Sequence, residues 1–186
     1  MPTHVLAEAH GDETGALLAF LEAQRGGLRR AVLGLTDAQA AERPSASELS
    51  LAGLVKHVAE TEQGWVETAQ GLPHSIERDQ STWHLSFRLE DGETPAGVLE
   101  FWEGVAQRTE KFIRSVPSLN DTFALPEAPW FPPNARQSMR WLMLHLIEET
   151  ARHAGHADVI RESLDGRTAF ELVDEERAGR ERTAGE

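Results

Sequence analysis

Apolar residues recur every three or four positions along most of the chain, the spacing of one helical face, and no stretch shows the alternation of a half-buried strand. Four amphipathic helices are predicted. The first runs from about Asp12, its N-cap, to Leu35, with Leu17, Leu18, Leu21, Leu28, Val32 and Leu35 on one face. A capping-box turn over Thr36 to Gln39 follows, and Pro44, Ser45 and Ser47 then break the chain. The second helix spans Ser50 to about Gln70. Its stripe is Leu51, Leu54, Val55, Val58, Trp65, Val66 and Ala69, with only the aliphatic stem of Glu62 counted among them. Gly71 and Pro73 stop it. The third helix opens on Thr94 as N-cap with Pro95 in the first helical position, and Pro117 ends it. Its stripe is Val98, Trp102, Val105, Thr109, Phe112, Ile113 and Val116. The fourth runs from about Ser138 to Leu164, with Gly166 as its stop.

Two connections, residues 71–93 and 117–137, exceed the roughly 2–8 residues usual between bundle helices. The first is long enough for a parallel crossover between the second and third helices. The second holds five prolines with Trp130 and Phe131, and is expected as a crossover lid with its aromatics against the core. The pattern implies an all-α four-helix bundle, one domain over residues 1–170. Residues 171–186 are charged, poor in apolar side chains, and expected as a flexible tail.

The fourth helix carries an anomaly. At about 100° per residue, Leu142, Leu146, Ile160 and Leu164 share one arc, and Glu149, His153 and His156 fall in the middle of it. His145 and Arg152 flank them. A carboxylate on a core face is disfavoured unless it is paired or holds a cation. Glu149 and His153 are four residues apart, so their side chains project to one point. Two ligands from one helix and a third from a facing helix is how bundles build metal sites. The alternative is a buried Glu–His ion pair, with His156 bonded to a backbone carbonyl. For the third ligand, His57 on the second helix is the natural candidate; its alternative is a solvent-edge histidine. His4 and His10 precede the first helix and are expected to be solvated. His74 and His84 lie in the first long loop.

Composition narrows the chemistry. The 186 residues include no cysteine, which excludes a disulfide framework, a cysteine zinc knuckle, an iron–sulfur cluster and a thiol nucleophile of the chain's own. The formal net charge of −13 opposes nucleic acid and anionic membranes. The start of the chain lacks a secretory pattern, and no run approaches the ~18 apolar residues of a membrane span. A cytoplasmic protein acting on a small molecule is expected, with no nucleic acid or membrane partner. No phosphate loop, dinucleotide fingerprint or Ser–His–Asp set appears. Phe101, Met143, Ile147 and Val159 lie off the main stripes, as a homodimer seam or as scattered surface apolars.

Two segments carry a family resemblance: Leu54-Val-Lys-His57-Val-Ala-Glu60, and Glu149-Thr-Ala-Arg-His153-Ala-Gly-His156-Ala. Together they resemble the DinB-like superfamily, and more narrowly its mycothiol-dependent maleylpyruvate isomerase-type and related actinobacterial members. The likeness spans about Asp12 to Asp165. It implies a four-helix bundle of up-down-down-up topology. It also implies a divalent metal held by one residue of the second helix and two of the fourth, here His57, Glu149 and His153. His156 then stands as a fourth ligand, an outer partner or a proton carrier.

Two histidines and one glutamate leave a four-coordinate ion an open position, the pattern of catalytic zinc; Fe(II), Ni(II) and Mn(II) also suit such ligands. An open ion lowers the pKa of a bound water or thiol. A chain without cysteine needs a low-molecular-weight thiol for thiol chemistry. The resemblance implies mycothiol or bacillithiol as co-substrate of an S-transferase or isomerase, with a metal-held thiolate attacking an electrophilic carbon. In that reading His156 or His145 moves protons and Arg152 binds a substrate carboxylate; the alternative for Arg152 is a surface ion pair with Glu148 or Glu149. A metal-dependent hydrolase and a non-catalytic, metal-stabilised helical binding module remain as alternatives. Accessibility separates them. An enzyme needs an open metal position in a pocket bordered by the loops around Trp83 and Trp130, whereas a structural site is closed, with His156 as fourth ligand.

Overall fold

The computed structural model describes residues 12–184 apart from Trp130. The expectations for His4, His10 and Trp130 lie outside the described residues. The elements are α1 (Glu13–Ala31), α2 (Asp37–Ala41), α3 (Leu51–Gln70), a 3-10 turn (Trp83–Phe87), α4 (Pro95–Ser115), β1 (Thr122–Ala124), β2 (Arg136–Ser138), α5 (Met139–Asp165) and α6 (Ala169–Ala184). The four long helices α1, α3, α4 and α5 are those the periodicity predicts. Their starts coincide with the capping chemistry. Asp12, Ser50, Thr94 and Ser138 each accept a hydrogen bond from a first-turn backbone N–H, and Pro95 takes the first position of α4. Gly71 and Gly166 end α3 and α5 in the left-handed region, at φ 68° and 78°. α1 stops four residues before Leu35. Arg161 of α5, itself buried, donates to the Ala31 and Leu33 carbonyls at 2.9 and 2.8 Å, so the chain turns there instead of continuing.

Cross-helix pairs give the topology. Glu13 meets Arg140, and Arg161 reaches the end of α1, so α1 and α5 run parallel. Lys56 meets Glu93 before α4, and Glu62 meets Thr109 farther along, so α3 and α4 run parallel. His57 meets Glu149 while Trp65 meets Trp141, so α3 and α5 are antiparallel. This is an up-down-down-up bundle, with the 71–93 connection as its parallel crossover.

Two apolar clusters fill the interior. One gathers Leu28, Leu51, Leu54, Trp102, Val105 and Ile160. The other gathers Leu21, Val66, Ile113, Leu142, Met143 and Leu146. Met143 is fully buried, which removes it from any surface seam. The reason is that α5 packs against both α1 and α3, so its buried arc is wider than one stripe. Ile147 is partly buried against the same cluster, whereas Val159 and Phe101 are exposed.

A polar layer separates the clusters. Glu62 is buried with its charge, not only its stem. It accepts from Arg25 of α1, from the Trp102 indole N–H at 3.0 Å and from the Thr109 hydroxyl at 2.6 Å. Burial alone lowers the pKa of Arg25, but the adjacent Glu62 carboxylate outweighs it and raises it.

Two segments differ from expectation. Inside the second long loop, β1 and β2 pair antiparallel, Phe123 opposite Gln137, and Phe123 enters the core. Three-residue strands are too short to show an alternating pattern. Residues expected as a flexible tail form most of α6, whose Leu172 and Val173 are buried and whose Glu176 meets Arg30 of α1 at 3.2 Å. A signal for this helix was present: Thr168 and Glu171 cap each other's backbone N–H reciprocally.

Candidate metal centre

The centre lies in the groove between α3 and α5, about a third of the way along α3 and near the middle of α5. His57 is the seventh residue of α3, and Glu149 and His153 lie one turn apart on α5. His57 Nε2 is 3.2 Å from Glu149 Oε1, and His153 Nε2 is 3.1 Å from the same oxygen. One ligand atom from each residue lies within 4.8 Å of the others. A tetrahedral ion at about 2.0–2.1 Å from each nitrogen or oxygen holds its ligand atoms roughly 3.3 Å apart. The donor set and its spacing therefore fit a divalent ion. Glu149 sits well below the usual carboxylate range, because first His153 and then His57 face it with a ring nitrogen. It is thus ionised at neutral pH, the state a metal requires.

The three side chains are unequally exposed. Those of His57 and His153 are 7% and 8% exposed, that of Glu149 is 25%. The approach to the centre is therefore from the Glu149 side. Among the described residues no fourth protein ligand joins the group. His156 is not part of it. Its Nδ1 lies 3.4 Å from His153 Nδ1, on the ring edge opposite Glu149. Burial, then the neighbouring charges of His153 and Arg152, lowers the pKa of His156.

The 3-10 turn covers His57, and no periodicity in the sequence pointed to it. Phe87 stacks on the imidazole at 3.8 Å, and Trp83, 57% exposed, meets it edge-on at 6.1 Å. The buried Ser86 hydroxyl is 3.1 Å from His57 Nδ1. The turn sits this close because residue 53 is glycine: a Cβ there would overlap the Phe87 carbonyl oxygen. The connection is tied to α3 by charge on both sides of the turn. The buried Lys56 ammonium donates to Glu90 at 3.0 Å and Glu93 at 2.6 Å, and Arg78 donates to Glu60 at 2.8 and 3.0 Å.

The remaining candidates are placed as follows. Arg152 is exposed and forms no ion pair with Glu148 or Glu149 among the described residues. His145, one turn before Glu149, stacks on Trp141 at 4.8 Å and meets Trp65 edge-on at 4.9 Å. His74 is exposed and bonded to Thr68, and His84 is exposed on the 3-10 turn. No described helix is long and apolar enough to cross a membrane.

Comparison with known proteins adds two findings. The family model described as MST: Mycothiol-S-transferase matches residues 16–166, a span that holds His57, Glu149 and His153. Among solved structures, the crystal structure of the conserved protein of locus from Enterococcus faecalis is similar, with a TM-score of 0.62 and 15% identity. The likeness covers 84% of this chain and 99% of that one, and at this identity it speaks to fold alone. A comparison with curated proteins finds no match.

Proposed function

The chain belongs to the mycothiol-S-transferase family, within the DinB-like superfamily, and from that membership together with the groove geometry we propose that it is a divalent-metal-dependent transferase of a low-molecular-weight thiol. The observation that carries this is the three-ligand set, approachable from the Glu149 side, in a chain that has no cysteine of its own. Mycothiol is the proposed thiol, with bacillithiol the related alternative; zinc is the proposed ion, and Ni, Fe or Mn suit the same ligands. When bound, such an ion lowers the pKa of a coordinated thiol into the neutral range.

The residues of this chain supply the rest. His57 and His153 offer ring nitrogens, and Glu149 offers the one negative charge. Phe87 and Trp83 keep water from the flank of His57. His156 holds the outer edge of His153 and is proposed to take up and release a proton there. Arg152, exposed and beside His153 in sequence, is proposed to meet an anionic group of the substrate. In the reaction the thiol sulfur forms a bond to an electrophilic carbon, the leaving group departs with its electron pair, and the thiol proton passes to His156 or water.

The test uses zinc-loaded protein, mycothiol and 1-chloro-2,4-dinitrobenzene as probe electrophile, with thioether formation and chloride release followed together. Thioether formation at least about tenfold above the uncatalysed rate is expected, and it should vanish in His57→Ala. Background rates with mycothiol and with bacillithiol, in protein that holds one metal per chain, would overturn the transferase reading in favour of a binding module. Hydrolysis of an ester or amide panel without any thiol would favour a metal-dependent hydrolase.

A further inference from the structure

The contact between Ser86 and His57 bears on the position of a proton. The Ser86 hydroxyl has one hydrogen, and its oxygen lies 2.8 Å from the Trp83 carbonyl. A carbonyl only accepts, so the hydroxyl proton is spent there. With its proton on that carbonyl, Ser86 turns a lone pair toward His57 Nδ1 at 3.1 Å, an arrangement that calls for the hydrogen on Nδ1. In a neutral ring the lone pair is then on Nε2, the atom that faces Glu149 and His153.

This matters because Glu149 pulls the other way. A carboxylate 3.2 Å from Nε2 favours the tautomer with hydrogen on Nε2, which donates to it. That tautomer has no lone pair on Nε2, the nitrogen that faces Glu149 and His153. Two acceptors thus compete for one proton across the ring, and the centre is ready for a cation only when Ser86 wins. Phe87, stacked on the same imidazole, and Gly53, which lets the turn approach, keep Ser86 in place.

We propose that Ser86 is a positioning residue which, docked on α3 through Gly53, fixes His57 in the Nδ1–H tautomer and so makes metal affinity depend on the 3-10 turn. The inference rests on the metal-site reading, but its first readout needs no metal. Residue 86 is not a ligand and acts through His57 alone; partners of this kind shift metal affinity by about 10–100-fold.

The test is ¹H–¹⁵N long-range correlation on the histidine-labelled, metal-free protein, at a pH where imidazoles are neutral, together with zinc affinity by chelator competition. Wild type is expected to show His57 protonated on Nδ1. In Ser86→Ala the ring should move to the Nε2–H form, and zinc should bind about 10–100-fold more weakly. Gly53→Ala, which lifts the turn while keeping Ser86, should weaken zinc in the same direction. An Nε2–H ring in wild type overturns the proposal, and so does unchanged zinc affinity in Ser86→Ala, whatever the tautomer. If wild type binds no zinc, the metal reading fails, and the tautomer of the metal-free ring still decides what Ser86 does.

Discussion

His153→Ala should strip the protein of most of its metal. In the wild type, elemental analysis after zinc loading and desalting is expected to find about one divalent ion per chain. The variant deletes one of three ligand atoms that converge within 4.8 Å. Its loss of affinity should exceed the about 10–100-fold typical of changes in outer partners. His57→Ala should behave alike although it lies on a different helix, and that equivalence is what distinguishes a shared ion from a local Glu149–His153 pair. Glu149→Gln keeps the size and one oxygen but removes the charge, so binding should weaken while the helical signal stays intact. Full stoichiometry in His153→Ala would remove that residue from the ligand set. A metal-free wild type, with Glu149→Gln unfolded, would leave a buried polar network whose role is structural.

The second large effect is on stability. Glu62→Leu leaves the buried Arg25 guanidinium only its bond to the half-exposed Glu22 carboxylate and takes an acceptor from the indole of Trp102. Breaking a buried pair from one side costs about 3–5 kcal/mol. In a chain of this size that corresponds to a fall in Tm of order 10 °C. Glu62→Leu combined with Arg25→Met should recover most of the loss, because an ion pair replaced from both sides by apolar groups is often neutral. The residue of about 1–3 kcal/mol is the indole N–H left without a partner, since the Thr109 hydroxyl can turn its one hydrogen from Glu62 to the Val105 carbonyl. Chemical denaturation of the two variants beside wild type checks this. A single variant within about 1 kcal/mol of wild type would mean that water reaches Arg25 and the layer is not dry.

These two sites differ in how far the sequence disclosed them. Glu149 and His153 stood out because they interrupt an apolar arc on one helix, where spacing alone fixes which side chains meet. Glu62 sits in an equally apolar stripe but has no ionisable neighbour on its own helix face. Its partner Arg25 lies on another helix, and pairing them requires the register of α1 against α3. The helix α6 was legible through its Thr168–Glu171 cap, yet its charge content masked the two apolar residues that dock it. Met143 falls off the stripe because a single stripe assumes one packing partner, and α5 has two.

The sequence by itself determined the four long helices, their caps and the all-α class, and it singled out Glu149 and His153 as one group, with His57 a candidate to join them. Periodicity, capping and i, i+4 projection are local, so one strand of text contains them. The tertiary structure alone decided that the 3-10 turn covers His57, that Ser86 faces Nδ1, that His156 stands behind His153 outside the ligand group, and that the approach is from Glu149. Each of these depends on which atoms of distant segments come within hydrogen-bond reach. That is set by how the helices and the crossover connection pack, a long-range property with no period for a sequence to display.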